Sequence, residues 1–189
     1  MRRLIAVLLI TPLLALPAVA QQGSAAPVTD AVKGMLQRMA RNLPAAADDM
    51  PVTKFTYKPT PAQLSFGDVV VHLAEGNEFL CSSASGTPAP NEPKPTSADT
   101  SSGGWGAYAP KAVAHLRRSF EYCNTALAKM DDSKLGEQVP WFGGPASKVS
   151  RATALIALPI DWQDHYAQMA IYLRINGILP PTARPRPKS

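Results

Sequence analysis

The chain is predicted to be an all-α protein, a four-helix bundle with a long crossover loop between helices 2 and 3. Three observations predict it. Four stretches carry apolar residues at i, i+3, i+4 and i+7, the spacing of a helix that buries one face. Each stretch is bounded by capping residues, Gly or Pro. No segment sustains the alternation of a half-buried strand, and the run Val69 to Val71 is absorbed by the helical pattern around it.

Ahead of the first helix lies a different kind of segment. Arg2 and Arg3 are followed by an apolar run from Leu4 to Leu16, interrupted only by Thr11 and Pro12, and then by Ala18-Val19-Ala20. A basic start, an apolar core and a small-x-small cleavage pattern are the marks of a secretory signal, so residues 1–20 are read as a signal peptide and Gln21 as the mature start. The apolar core is too short for a helix spanning a bilayer of about 30 Å. No Cys follows the cleavage pattern to take a lipid, and no later segment is long and apolar enough to cross a membrane.

The bundle is expected over residues 21–182. Helix 1 is predicted from about Pro27 to Leu43, with Val32, Met35, Leu36, Met39 and Leu43 as its stripe and Thr29 or Asp30 as cap. Pro44, Pro51, Pro59 and Pro61 are expected to keep the next stretch irregular. Helix 2 starts at Ser65, which with Asp68 has the spacing of a capping box, and Gly86 closes it. Residues 86–109, rich in Pro, Ser, Thr and Gly, form the crossover, because bundles accommodate one long connection. Helix 3 is predicted from about Pro110 to Met130, with Val113, Leu116, Phe120, Cys123, Leu127 and Met130 on one face. A polar connector ending in Trp141-Phe142-Gly143-Gly144-Pro145 leads to helix 4, from about Ser147 to Asn176. Pro159 is expected to kink or break it, and Gly177 and Pro180-Pro181 to stop it. The basic, Pro-rich end, residues 183–189, is read as a disordered tail.

Charge and cysteine content narrow the function. Loss of residues 1–20 lowers the formal charge from +5 to +3, too mild for a nucleic-acid partner, and no basic stripe interleaved with aromatics appears. The chain has two cysteines, Cys81 and Cys123, too far apart for a C-x-x-C redox motif. In an oxidising compartment such a pair invites a disulfide, but two buried thiols fit the sequence equally. Gly103-Gly104 and Gly143-Gly144 lack the strand, helix and Lys of a phosphate loop, and nothing suggests a Ser-His-Asp triad.

Three histidines remain: His72 in helix 2, His115 in helix 3 and His165 in helix 4. Asp161 and His165 are four residues apart, which puts them on one helix face with Cβ atoms about 5–6 Å apart. A carboxylate and an imidazole so placed can grip one metal ion, and His72 from another helix would complete a three-ligand site with open positions. The same spacing also describes a solvated side-chain pair. His115, beside Arg117 and Arg118, is expected at the edge of a solvated face.

Four runs in order resemble the DinB-like proteins. They are Tyr57-Lys58-Pro59-Thr60-Pro61 leading to Ser65-Phe66-Gly67-Asp68 and His72-Leu73-Ala74; Phe120-Glu121-Tyr122-Cys123; Phe142-Gly143-Gly144; and His165-Tyr166-Ala167-Gln168 with Tyr172-Leu173-Arg174, Asn176-Gly177-Ile178 and Pro180-Pro181. Together they span about residues 28–182. The resemblance implies a four-helix bundle with a long crossover and a mononuclear site usually made by three histidines. Its first and last histidines fall on His72 and His165, while the middle one falls on Asp161, and Gln168 matches a recurrent glutamine that supports the ligands from behind. The implied cofactor is a divalent metal, Zn, Ni or Fe. The family includes metal-dependent thiol transferases. The expected function is therefore an exported domain acting as a metal-dependent transferase or hydrolase on an unknown small molecule, free of a stable membrane anchor, with a homodimer left open. The alternative is a non-catalytic binding or stress-related module that has lost the metal, which the aspartate at position 161 favours.

Overall fold

A computed structural model of the protein describes residues 23–185, so the expected signal peptide lies outside the described residues. Among the described residues there are four α-helices, α1 (Pro27–Asp49), α2 (Phe66–Ser85), α3 (Trp105–Leu127) and α4 (Arg151–Ile175), with two three-residue strands, β1 (Gln138–Pro140) and β2 (Lys148–Ser150), between α3 and α4. The all-α bundle is as predicted. Each helix packs on two others, α1 and α2 both lying between α3 and α4, so α1 faces α2 and α3 faces α4 across the core. Asn77 bonds Ser119 and Cys81 is bridged to Cys123, so α2 and α3 run parallel, as a long crossover permits. Thr29 meets Asp132 at the far end of α3, and Arg151 at the start of α4 bonds the Ala84 carbonyl at the end of α2, so α1 and α4 run against that pair.

Local chemistry sets the helix ends. Ser65 and Asp68 form the predicted capping box, each side chain bonded to the other's backbone N–H at 3.2 Å. Gly86 ends α2 in the left-handed conformation, φ 78°, which a residue without Cβ adopts freely. The cap of α1 is not local. The Asp132 carboxylate, from beyond α3, accepts the Val28 and Thr29 amides at 3.0 and 2.9 Å and the Thr29 hydroxyl at 2.7 Å. In return Lys33 places its ammonium on the Ala128 and Met130 carbonyls at the end of α3.

Several boundaries differ from expectation, and proline accounts for most of them. Pro44 lies inside α1, which runs on to Asp49, and Pro110 lies inside α3, which begins five residues earlier at Trp105. A proline removes one backbone bond and strains one turn. Burial of Leu43, Pro44, Ala46 and Ala47 in α1, and of Trp105 and Ala109 in α3, outweighs that loss. Pro159 likewise sits within an unbroken α4. Helix 4 starts at Arg151 because residues 148–150 pair as β2 with β1, an antiparallel hairpin that is too short to show alternation. At the C-terminal end, residues 181–183 form a 3-10 turn, Thr182 bonds the Tyr166 hydroxyl and Arg184 pairs with Asp49. The chain is therefore held against the bundle as far as these contacts reach, where disorder was expected, and residues 186–189 lie outside the described residues.

The stretch between α1 and α2 closes one end of the bundle. Phe55 is 1% exposed, its ring 5.4 Å from Phe66 and 5.7 Å from Trp105. The Phe55 and Tyr57 carbonyls accept the Gly67 and Phe66 amides, covering the start of α2. Trp105 lies flat on Gly67, where a Cβ would come within 2.6 Å of its ring. This clamp seats α2 against α3. The bridge between Cys81 and Cys123, Cα atoms 5.3 Å apart, holds the same pair nearer its other end.

Candidate metal centre

His72 comes from the second turn of α2, and Asp161 and His165 from the middle of α4. Leu158, Trp162, Met169 and Tyr172 anchor the inward face of α4, turning Asp161 and His165 toward the seam with α2. Their imidazole and carboxylate ligand atoms all lie within 4.8 Å of one another. His165 Nε2 is 3.3 Å and His72 Nε2 3.8 Å from Asp161 Oδ1, and the two rings stand edge to face with centroids 4.6 Å apart. His72 is half exposed, at 51%, whereas the Asp161 and His165 side chains are at 21% and 13%. The group therefore lies at the edge of the core and opens to solvent on the His72 side.

The direction of His165 is fixed from behind. Tyr172 donates its hydroxyl to the Leu64 carbonyl at 2.9 Å. A carbonyl can only accept, so Tyr172 must in turn accept from the Gln168 amide NH₂, also at 2.9 Å. That leaves Gln168 Oε1 to receive the proton of His165 Nδ1, at 3.2 Å. The relay from Leu64 through Tyr172 and Gln168 thus pins the imidazole tautomer and aims Nε2 at Asp161. Gln168 was read as a supporting residue; Tyr172, which entered the sequence reading as part of a family-like run with no role at the site assigned, completes the chain.

Electrostatics favour the charged forms. Burial pushes the Asp161 carboxyl up, but the polar attraction of His165 and His72 outweighs it and holds the carboxyl down at about 2. Burial pushes His165 down, yet the Asp161 carboxylate beside it, aided by Gln168, holds it above its ordinary value. Asp161 Oδ2 is buried without a hydrogen-bond partner, next to Gly76, where a Cβ would stand 3.5 Å away.

A cleft of about 670 Å³ is lined by His72 and Asp161 of the three residues. Its floor is the seam between α2 and α4, with His72 and Asp161 on it; Phe79 and Ile160 stand beside them, Trp141 and Phe142 come from the β1–β2 hairpin, and Lys94 comes from the crossover. The sequence reading passed over these walls. The Trp141-Phe142-Gly143-Gly144 run was read as the end of a connector and, in part, as a family-like run, but not as a wall of the site, although two aromatics ahead of two glycines were the available signal.

His115 is a correction. It is 6% exposed rather than on a solvated face, and it pairs with Glu78 of α2 at 2.6 Å. The third histidine therefore takes no part in the His72 group and ties α3 to α2. A buried imidazole demands a partner, and the partner lies 37 residues away, outside the reach of local pattern.

A family model described as the DinB superfamily matches residues 35–169. Among solved structures, a DinB-like protein from Bacillus subtilis superposes with a TM-score of 0.62 at 14% identity, covering 82% of this chain and 99% of that one. A DinB-like protein from Bacillus cereus gives 0.59 at 20% identity, covering 79% and 95%. At those identities the likeness is one of fold. A comparison with curated proteins finds no match.

Proposed function

Since this chain belongs to the DinB superfamily, we propose that it holds one divalent metal ion on His72, Asp161 and His165 and presents it to a small molecule in the adjoining cleft. One observation carries the reading. The separations of 3.3 and 3.8 Å between Asp161 and the two imidazoles are longer than a well-formed hydrogen bond, so the three side chains converge without closing tightly on one another. Ligand atoms about 2.0–2.2 Å from a shared ion sit roughly 3–4 Å from one another, and the Asp161 carboxylate keeps unused ligand capacity in its second oxygen, Oδ2, buried without a partner beside Gly76.

The donor set of two imidazoles and one carboxylate suits Zn, Fe(II) or Ni. Bound there, a divalent ion would supply Lewis-acid polarisation of a substrate atom. The protein's own residues do the rest. The Leu64–Tyr172–Gln168 relay holds His165 in one tautomer, Asp161 brings the only negative charge of the set, and the half-exposed His72 leaves the cleft side open. The signal-like segment at residues 1–20 supports an exported site of action.

Elemental analysis of protein purified without a histidine tag tests the reading. The expected result is one divalent ion per chain, lost in His72→Ala and in Asp161→Ala while the circular dichroism stays helical. Protein that takes up no zinc, nickel or iron on incubation, or a His72→Ala variant that retains its metal, overturns it and leaves a helical module without a metal.

A further inference from the structure

Two large apolar side chains beside the His72 group are left in water without serving the core. Phe142 is 57% and Ile160 64% exposed. Apolar side chains scattered singly on a surface carry no message, but a contiguous apolar patch lining a groove marks a binding face, and these two line one cleft with Phe79 and Trp141. The hairpin carrying Phe142 is held by the β1–β2 pairing and by the Trp141 amide bonded to the Ser147 carbonyl at 3.0 Å. Its tip passes through Gly143 and Gly144 at φ 103° and 105°, a left-handed turn that side chains resist. The Phe142 ring stacks on Phe79 of α2, centroids 4.0 Å apart and planes 29° apart, and Trp141 stands edge-on to Phe142 at 5.0 Å. The result is a continuous aromatic wall that runs from the hairpin down to the helix bearing His72.

Charge on the cleft narrows the occupant. Glu75, Asp161 and Asp164 face it with Lys94, which lies 3.9 Å from Glu75. A divalent ion at the His72 group would bring these four side chains to neutrality, so the cleft holds no surplus charge for a phosphate or a polycation. Its volume suits a molecule of drug size.

We propose that this cleft binds the aromatic, or similarly flat and apolar, body of a small uncharged molecule, stacked against Phe142, Phe79 and Trp141. Its donor group then reaches the His72–Asp161–His165 point. The donor half and the ligand's lack of charge rest on the metal reading above; the stacking half does not.

Two probes separate the halves. Zinc-loaded protein is titrated with 2-naphthohydroxamate and with acetohydroxamate, which share one chelating head. The aryl compound is expected to bind at least ~10-fold more tightly through its buried ring. Phe142→Ala should abolish that preference and leave zinc content and acetohydroxamate affinity unchanged. Metal-free protein is titrated with N-phenyl-1-naphthylamine, an uncharged fluorophore, whose emission should rise with wild type and fail to rise with Phe142→Ala. Bound zinc without an aryl preference, or a preference that survives both Phe142→Ala and Trp141→Ala, overturns the aromatic site and spares the metal. If zinc does not bind, a Phe142-dependent rise of the fluorophore still supports the aromatic site, and no rise overturns it.

Discussion

At His165 the imidazole's direction is decided by a residue three positions on. Gln168 offers its only acceptor to Nδ1 because Tyr172 already occupies its NH₂ group. Supporting partners of this kind typically govern metal affinity by about 10–100-fold. Gln168→Ala is therefore expected to weaken zinc binding by ~10-fold or more at unchanged helicity, read by competition with a chromogenic chelator. The same residues give the metal-free protein a definite pH response. Asp161, held at about 2 from an ordinary 3.8, contributes stability that is complete above the ordinary value and lost as pH falls through about 2. His165, raised above an ordinary 6.5, contributes stability that is complete below that value and lost as pH rises through its folded one. In metal-free protein the site's contribution therefore peaks between these windows. Metal reverses the upper arm, since bound imidazole must shed its proton and zinc retention rises with pH. Melting temperatures of both forms from pH 5 to 9 check this: the zinc-induced increase should grow with pH, and an increase that shrinks would refute it.

The elements show which parts of the fold were legible. Gly67 has space for Trp105 and none for a Cβ, so Gly67→Ala must push α2 from α3 or displace a fully packed indole. Overpacking of this kind destabilises by about 1–3 kcal/mol, and urea unfolding should show a lower midpoint. Asp132→Ala should release the first turn of α1, seen as faster hydrogen exchange at the Val28 and Thr29 amides than in the wild-type protein. Neither contact is written in a local window: one joins residues 38 positions apart in sequence, the other more than 100. What could be read was what repeats locally. The apolar stripes located all four helices, the Ser65–Asp68 box and Gly86 fixed both ends of α2, and helical spacing put Asp161 and His165 on one face. What could not be read depended on tertiary burial: helices continuing through Pro44 and Pro110, a three-residue strand pair, the Glu78–His115 pair and the aromatic wall of the cleft.

On the scale of the whole molecule, the parallel course of α2 and α3 is what brings Cys81 and Cys123 to one level, and both are fully buried there. The bond spans 42 residues of sequence, including the whole crossover. Joining them removes loop freedom from the unfolded chain, which for a loop of this size is worth roughly 4 kcal/mol. For a domain of this length that corresponds to ~10 °C in melting temperature. Such bonds are kept chiefly in oxidising compartments, which suits the export proposed above. Protein recovered after export is expected to begin at Gln21 by mass spectrometry and to resist alkylation until reduced. Reduction, or the Cys81→Ala/Cys123→Ala double substitution, should lower the melting temperature by that amount. The zinc content should not change, because His72 lies more than two turns of α2 from Cys81 and the α2–α4 seam is also packed by the buried Leu73, Leu158 and Trp162. Loss of the metal together with the disulfide would mean that the crossover clamp, not the seam, holds the site in register.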